Sequence, residues 1–172
     1  GQTFDADGTG DNASEYSLAA EEDNDEQDFG YTGSGELGDT IWWDIDGDGT
    51  YSPTVEAGIP GVTVTLEVDL DGDGTTDYTT TTVTDQDGEY LFENLPPGDY
   101  TVTVDQPGGT TQTGDADGGN DNTSGTTLTV TDTVNLDQDH GYNGDGSIGD
   151  TVYFDHNADG DQDGNEPGIA GI

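Results

Sequence analysis

The stretch Val62-Thr63-Val64-Thr65-Leu66-Glu67-Val68 places an apolar side chain at every second position. Residues 100–104, Tyr-Thr-Val-Thr-Val, repeat the same alternation. Successive side chains of a β-strand point to opposite faces, so each run puts its apolar groups on one face and Thr or Glu on the other. Both stretches are therefore predicted to be half-buried strands that cover a core.

Similar short runs recur between turn residues, and no segment shows the 3.6-residue period of a helix. Residues 96–99, Pro-Pro-Gly-Asp, are predicted to form a turn. Many short strands joined by Gly, Pro, Asn and Asp turns are typical of two packed sheets. The predicted fold class is all-β, an Ig-like or prealbumin-like β-sandwich, with strands at 37–43, 61–68, 78–84, 89–93, 99–105, 126–131, 133–138 and 148–154.

The apolar residues of these strands are expected to face one another across the sandwich, as packing residues rather than ligands. The predicted core consists of Ile41, Trp43, Val62, Val64, Leu66, Tyr90, Phe92, Leu95, Tyr100, Val102, Val104, Leu128, Val130 and Val134.

The charge of the chain opposes this fold unless cations are supplied. The 172 residues include 40 Asp or Glu and neither Lys nor Arg, a formal charge of −40, and only 27% are hydrophobic. A chain with so much charge and so few apolar groups lies near the disordered class. We therefore expect ordered β-structure where external cations neutralise the carboxylates.

The chain also repeats itself at an interval of about one domain. Residues 2–8 match residues 112–118 at an offset of 110, and residues 37–44 match residues 148–155 at an offset of 111. The predicted domains are the C-terminal part of a preceding repeat at 1–34, a complete repeat at 35–145 and the N-terminal part of a following repeat at 146–172. We expect a longer tandem array, with neighbouring repeats or identical chains as partners.

Three stretches alternate acidic and small residues with the spacing that surrounds a hard divalent cation with oxygen atoms. The most complete, the C-terminal loop (residues 155–166), matches the twelve-position calcium template with Gly160 at position 6. Residues 151–154 look like a strand, so the flanking helices of an EF-hand are not expected. The predicted ligands are Asp155, Asn157, Asp159, Asp161 through its carbonyl, Glu166, and Asp163 at position 9.

The first loop (residues 44–56) and the hairpin loop (residues 69–77) match the template less completely. Glu56 closes the first loop one position late, with Pro53 in the insertion. No Glu closes the hairpin loop, for which Asp85 or Asp87 is the candidate closing ligand. The predicted calcium ligands are Asp44, Asp46, Asp48 and Glu56 in the first loop and Asp69, Asp71, Asp73 and Asp77 in the hairpin loop.

Weaker acidic loops repeat at the 110-residue offset, where an Asp-Gly turn without metal fits as well. They contain Asp115, Asp117 and Asp121, and their copies Asp5, Asp7 and Asp11. Several Ca²⁺ ions per repeat are thus expected. Weak calcium loops, with dissociation constants of about 0.1 to 1 mM, fill only where calcium is abundant, which predicts an extracellular, secreted or cell-surface location.

Other functional classes have less support in the sequence. A polyanion cannot neutralise phosphates, so nucleic acid is not expected to bind, and no apolar run is long enough to span a membrane. The histidines, His140 and His156, are Phe29 and Ile45 in the other repeat, and no nucleophile or base accompanies the carboxylates, so no enzyme is expected. Asn12 and Asn122 begin sequons for N-linked glycan, although such sequons also arise by chance.

Two ordered motifs resemble those of a known family. The first is Ile148-Gly-Asp150-x-Val152-x-x-Asp155 with the acidic loop and Gly168-Ile-x-Gly that follow it. The second runs from Thr84-Asp to Leu95-Pro-Pro-Gly-x-Tyr-x-Val-x-Val104, and a final Asp-x-Gly-Tyr completes the order. The chain resembles the B-type repeats of serine-aspartate-repeat surface adhesins, the SdrD-like members of the wider collagen-adhesin B group.

This resemblance implies an Ig-like sandwich with calcium in its loops, serving as a stalk or spacer. Many collagen-adhesin B domains also carry an isopeptide bond from Lys to Asn, which a chain without Lys cannot form. The predicted function is a calcium-binding structural repeat of an extracellular fibre, stalk or adhesin. The alternatives are an adhesive module for carbohydrate or a host protein, with Trp42 and Tyr51 as an exposed aromatic patch, and an acidic matrix protein that templates calcium mineral. Salt adaptation would instead scatter the charge over the surface.

Overall fold

A computed structural model describes residues 1–171, in which eleven strands and no helix are found. The all-β fold class is confirmed. The strands are β1 (Gln2–Asp5), β2 (Phe29–Tyr31), β3 (Gly35–Trp43), β4 (Thr63–Asp69), β5 (Tyr78–Val83), β6 (Glu89–Leu95), β7 (Gly98–Val104), β8 (Thr110–Asp115), β9 (Thr123–Leu128), β10 (Val134–Asn135) and β11 (His140–Gly144).

Two sheets built from β3 to β11 form the sandwich. One is antiparallel, in the order β5-β4-β7-β9. In the other, β3 pairs antiparallel with β6 and parallel with both β10 and β11, and β11 pairs antiparallel with β8. A separate two-stranded sheet consists of β1 and β2.

The alternating stretches that predict strands do form them. Val64, Leu66 and Val68 of β4 are fully buried, whereas Thr65 between them is half-buried and Glu67 is exposed. Because β4 lies between β5 and β7, its apolar face closes one side of the core. Nine further predicted core residues are also buried: Ile41, Val62, Tyr90, Phe92, Leu95, Tyr100, Val102, Val104 and Leu128.

Three core predictions are wrong or incomplete. Trp43 is only half-buried at the edge of the core, and its neighbour Trp42 is buried instead. Val130 is 81% exposed because residues 129–132 form a turn in which the Thr129 amide donates to the Asp132 carbonyl at 2.8 Å. Val134 is also exposed. The core additionally contains Leu37, Ile59, Val68 and Tyr142.

Three strand predictions also need correction. The strand predicted at 126–131 is β9, shifted three residues towards the N-terminus, and the one predicted at 133–138 shrinks to the two residues of β10. Residues 148–154 form no strand and keep a single antiparallel bridge, between Tyr153 and Gly168. The structure also contains β1, β2, β8 and β11, which the alternation pattern does not predict.

Trp42 is buried because two glycines leave room for its indole ring. A Cβ atom on Gly141 would lie 2.5 Å from the ring, and one on Gly114 would lie 2.7 Å from it. The Trp42 ring also contacts Tyr51, with ring centroids 5.6 Å apart. Strands β8 and β11 thus carry glycine where the indole covers them, and their other buried positions include the polar residues Thr110, Gln112 and His140, so neither strand shows apolar alternation.

Replacing Gly141 by Ala should destabilise the repeat. A methyl group at this position overlaps the Trp42 ring, and overpacking of this kind costs about 1–3 kcal/mol. Urea unfolding of Gly141→Ala should give a lower midpoint than the wild type. The control is Gly125→Ala in β9, where a Cβ meets nothing within 4 Å. Equal midpoints for the two variants would contradict the packing described for Trp42.

A half-buried carboxylate lies beside the parallel pairing of β3 with β11. The Thr40 amide donates to Asp139 Oδ1 at 3.0 Å. Burial raises the pKa of Asp139 to about 6, and the nearby charges of Asp39 and Asp137 act in the same direction, against the hydrogen bond from Thr40. The folded chain thus binds a proton here more tightly than the unfolded chain, so stability from this group is lost as the pH rises through about 6.

We therefore expect Asp139→Asn to raise the melting temperature of metal-free protein at about pH 7.5, with a smaller gain at about pH 4.5, where Asp139 is protonated in the folded state. Burial lowers the pKa of His140, but this contribution is common to both proteins. The control is Asp105→Asn, an exposed carboxylate that does not contribute to the pKa shift of Asp139. A gain that is the same at both pH values would show that Asp139 is ionised throughout.

Candidate calcium sites

The first loop is organised around the buried carboxylate of Asp44, which directly follows β3. Asp44 Oδ1 accepts hydrogen bonds from the amides of Gly47 and Asp48, at 2.7 and 3.2 Å. Asp44 Oδ2 accepts one from the Gly49 amide at 2.8 Å. Gly47 and Gly49 have φ near +75°, a conformation that glycine adopts without strain, so the loop curls around this carboxylate.

Glu56, also buried, closes the first loop from its other end. Its Oε1 accepts a hydrogen bond from the Ile45 amide at 3.0 Å, and its Oε2 accepts one from the Ser52 amide at 2.7 Å. The extra residue of this loop thus lies between Ser52 and Glu56. It does not prevent Glu56 from reaching the start of the loop.

The surroundings of Asp44 favour the ionised form of its side chain. Burial raises its pKa, whereas the Thr113 side chain and the amides of Gly49, Gly47 and Asp48 lower it, and the balance lies below the ordinary value. Asp44 is therefore charged at neutral pH.

A contact that sequence reasoning missed also supports the first loop. Asn143 of β11 donates from Nδ2 to the Asp44 carbonyl at 2.6 Å, which ties the loop to the far end of the repeat. In the other copy the equivalent position is Thr32, so no repeated motif marks this residue.

The hairpin loop connects β4 to β5 and has the same internal pattern. Asp69 accepts from the amides of Gly72 and Gly74 at 2.7 and 2.8 Å, and Asp77 accepts from the Leu70 amide at 2.7 Å. Asp73 instead binds the amide and hydroxyl of Thr75, which lower its pKa. Residues 85 and 87 lie beyond the other end of β5, in the turn before β6, so neither closes this loop.

The C-terminal loop repeats the backbone hydrogen bonds of the first loop, although Asp155 is exposed where Asp44 is buried. Asp155 accepts from the amides of Ala158 and Gly160, at 2.5 and 3.0 Å. Glu166 is buried and accepts from the amides of His156 and Asp163, at 2.8 and 3.0 Å.

The remaining predicted ligands of the C-terminal loop contact one another. Asn157 donates from Nδ2 to Asp159 and Asp163, at 2.8 and 3.2 Å, and the Asp161 amide donates to Asp159 Oδ1 at 3.0 Å. The Asn157 side chain thus turns its amide nitrogen towards the two carboxylates. To act as a ligand it would have to present its oxygen instead.

Among residues 1–171, three groups of carboxylates have oxygen atoms that all lie within 4.8 Å of one another. Ca²⁺ binds oxygen at about 2.3–2.6 Å, so oxygens up to about 5 Å apart can share one ion. The donor sets therefore fit calcium. The groups are Asp44, Asp46 and Asp48 in the first loop, Asp69, Asp71 and Asp77 in the hairpin loop, and Asp5, Asp7 and Asp11 before the complete repeat.

The N-terminal copy of the weaker acidic loop differs from the copy inside the complete repeat. Asp115, Asp117 and Asp121 each hold a backbone amide of their own loop, at 3.2, 3.0 and 3.0 Å. The corresponding Asp5, Asp7 and Asp11 do the same but also converge. This weaker candidate site is thus better formed in the N-terminal copy, where the three carboxylates converge.

The two predicted glycan acceptors lie in different environments. Asn12 is exposed. Asn122 is half-buried and accepts a hydrogen bond from the Tyr142 hydroxyl at 2.8 Å, while its Nδ2 donates to Gln106 at 3.3 Å. A glycan at either position stays a prediction, and Asn12 is the more accessible acceptor.

Comparison with known proteins defines the class of the chain. The SdrD B-like domain family matches residues 35–143. A serine-aspartate repeat-containing protein F of Staphylococcus epidermidis is 38% identical over 141 residues, which are 79% of this chain and 8% of that protein. A serine-aspartate repeat-containing protein E of Staphylococcus aureus (strain Newman) is 38% identical over 141 residues, which are 79% of this chain and 12% of that protein.

The chain therefore belongs to the SdrD B-like domain family, which confirms the resemblance seen in its motifs. Domains of this family are structural repeats, and the prediction that the chain is not an enzyme is confirmed. The chain spans about a tenth of the length of the relatives described above. No helix in residues 1–171 has the length and apolar character needed to cross a bilayer.

Replacing Asp44 by Asn should remove calcium from the first loop. The amide keeps the shape of the side chain but lacks the negative charge that Asp44 would contribute, beside Asp46 and Asp48, to binding the ion. Calorimetric titration should then count one ion fewer per chain than in the wild type. The matched control is Asp105→Asn, an exposed carboxylate outside the loops, for which the count should not change. An unchanged count for Asp44→Asn would mean that the first loop does not bind calcium.

Proposed function

We propose that the chain is a calcium-binding structural repeat of an extracellular fibre, stalk or surface adhesin. The observation that carries this proposal is the convergence of carboxylates in loops at the ends of strands, in a chain with neither Lys nor Arg. Calcium would neutralise these loops and fix their conformation. The repeat would then serve as a rigid spacer.

The energetics of the first loop support this role. Two unit charges about 4 Å apart repel by about 1 kcal/mol even in bulk water, and more where solvent is excluded. Asp44 is buried and negatively charged, and no basic side chain exists in the chain to neutralise it. A buried charge needs both hydrogen bonds and a counter-charge. The three backbone amides supply the first, and a bound cation would supply the second.

The direction of the chain supports a role as a spacer. β3 runs parallel to β11, so the chain enters the repeat at one end of this strand pair and leaves it at the other. Repeats connected in this way follow one another in a line. The family and its staphylococcal relatives, which are named for their serine-aspartate repeats, suggest a position at the cell surface.

The two alternative functions have less support. An adhesive module would need exposed aromatic side chains, and the prediction of an exposed Trp42 is wrong, since this residue is buried and Tyr51 packs against it. A mineral template would need carboxylates that face solvent without partners. In the first loop, Asp44 and Glu56 instead hold backbone amides and are buried.

Thermal unfolding with calcium, with magnesium and with a chelator tests the proposal at low salt. When the calcium concentration is a hundred times the dissociation constant of a site, binding at that site stabilises the fold by about 2.7 kcal/mol. Several filled loops should therefore raise the melting temperature by about ten degrees or more. Magnesium should give a smaller gain, because it demands six ligands at short and nearly ideal octahedral positions. A melting temperature that is equal with calcium and with chelator would contradict the proposal.

A further inference from the structure

Strand β5 is an uncovered edge of the four-stranded sheet. Within residues 1–171, the order β5-β4-β7-β9 gives β5 a neighbouring strand on one side only. Five of its six residues are exposed. Because β5 lies in the middle of the complete repeat, an array of such repeats would present one edge of this kind in each of them.

The free backbone groups of this edge belong to alternate residues. The Thr84 amide, directly after β5, donates to the Val62 carbonyl at 2.9 Å. Alternate residues of an antiparallel strand direct their backbone groups to the same side. The even-numbered residues of β5 therefore bond to β4. The residues that direct their amides and carbonyls away from the sheet are Thr79, Thr81 and Val83.

Strand β5 lacks the features that usually protect a sheet edge. Exposed edge strands usually carry Lys or another charged residue, Pro or a bulge. The sequence of β5 is Tyr-Thr-Thr-Thr-Thr-Val, without charge or Pro, and its register with β4 is continuous. Aromatic and β-branched residues of this kind favour pairing as strands. In a chain of charge −40, this uncharged edge suits another strand as its neighbour.

The opposite edge of the same sheet, β9, is also uncharged but is covered. Ser124 of β9 is buried, and its hydroxyl donates to Gln138 Oε1 at 2.7 Å. Asn135 donates from Nδ2 to Thr126 Oγ1 at 2.8 Å. The chain at 134–138 thus lies against β9, whereas β5 is exposed along its length.

An acidic side chain lies beyond each end of β5. Before it, Asp77 belongs to the hairpin loop, where its carboxylate converges with two others. After it, Asp85 accepts at Oδ1 from the amides of Asp87 and Glu89, at 2.9 and 3.0 Å. Within the described residues, the other oxygen of Asp85 accepts no hydrogen bond.

We propose that β5 pairs antiparallel with β5 of a second copy of the chain, about a two-fold axis at Thr81. A two-fold axis makes the same edge of both copies the contact surface. The free backbone groups set the register, because they must face one another: Thr81 pairs with Thr81 of the second copy, and Thr79 with its Val83. A shift by two residues would leave part of the strand unpaired. The two sheets then continue into one sheet of eight strands.

This register completes the hairpin loop. Counted outward from Thr81, Asp77 lies opposite Asp85 of the second copy, and paired residues share one face of a sheet. Asp85 of the same chain lies at the other end of β5 and does not reach the loop. The free oxygen of Asp85 of the second copy is thus placed beside the three converging carboxylates, and the two-fold axis repeats this site at the other end of the pairing.

The charges at these ends favour a second copy over an unrelated strand. Asp77 and Asp85 of the second copy repel one another unless a cation lies between them. A calcium ion in each hairpin loop would turn this repulsion into attraction. An uncharged strand of another protein could cover the edge but would supply no carboxylate to the loop. The interface therefore rests on the proposed function, since it requires calcium in the hairpin loop.

Sedimentation equilibrium of the whole chain measures the pairing. Because an interface of this size belongs to the weak class, the protein is used at about 0.3 mM. Calcium is added at about 10 mM, above the dissociation constants of about 0.1 to 1 mM expected for weak loops. We expect twice the monomer mass in calcium and the monomer mass in chelator. A wild type that is monomeric in calcium would overturn the proposal.

Thr81→Lys tests the edge itself. This variant places two like charges opposite one another at the two-fold axis, so the dimer should be lost. The matched control is Thr101→Lys, with the same change of charge at an exposed threonine on the same face of β7. The control should remain dimeric. A dimer that persists in Thr81→Lys, or is lost equally in both variants, would contradict the pairing.

Asp85→Asn tests the carboxylate that the second copy supplies. Its amide keeps an oxygen for the backbone hydrogen bonds of Asp85 but lacks the charge. The dimer in calcium should weaken at least about tenfold, because the number of charged ligands sets the affinity for calcium. The control, Asp87→Asn, changes an exposed carboxylate of the same turn and should leave the dimer intact. Equal effects of the two variants would overturn the role of Asp85.

Single cysteines test the register, because the natural chain has none. On oxidation in calcium, Thr81→Cys should form a disulfide with its own copy, since directly paired residues have Cα atoms about 5.5 Å apart. Thr79→Cys lies on the same face of the same edge. Its two copies would be four residues apart along the strands, about 13 Å, and should link much less. Equal linkage of the two variants would show that the register is wrong.

The interface and the proposed function can fail separately. Monomeric Thr81→Lys should keep the gain in melting temperature that calcium gives, because its substitution lies outside the loops. If calcium raises the melting temperature of a wild type that stays monomeric, the calcium-binding proposal stands and the interface is wrong. If calcium changes neither the mass nor the melting temperature, both proposals are wrong.

Discussion

Every carboxylate of the chain must find its counter-charge outside the chain, because the sequence holds 40 acidic residues and no Lys or Arg. The fold answers this constraint by placing acidic groups at strand ends, where backbone amides point towards them. Asp44 follows β3, and Asp69 ends β4. Each accepts hydrogen bonds from backbone amides of its own loop and leaves neighbouring carboxylates close enough to share one ion. In the proposed calcium-bound repeat, order in the loops and order in the strands would depend on the same cations.

The sequence predicts those parts of the molecule in which one local pattern decides the outcome. Period-two alternation locates β4 and β7, and the acidic spacing locates the loops at Asp44 and Asp155. Where the burial of a side chain depends on residues far away in the sequence, the alternation pattern does not predict it. Trp42 is buried because Gly114 and Gly141, far away in sequence, leave space for it.

The candidate sites show the same division between local and distant contacts. The insertion before Glu56 is visible in the sequence, but its accommodation depends on the amides of Ile45 and Ser52. The contribution of Asn143 cannot be seen, since it crosses from β11 to the first loop. Asp85 fits the hairpin loop by composition only, because β5 separates it from that loop. Sequence spacing identifies the candidate ligands within one loop, whereas contacts from other parts of the chain depend on the topology of the strands.

The parallel pairing of β3 with β11 has a consequence for a repeat under tension. A force that pulls the chain before Gly35 away from the chain after Gly144 acts along these two strands in opposite directions. The backbone hydrogen bonds between β11 and β3 are then loaded together, in shear, and cannot open one after another. Asn143, which links β11 to the first loop, adds a bond to the same clamp. The repeat therefore resists extension along the direction of β3 and β11, in which neighbouring repeats of the proposed array would follow.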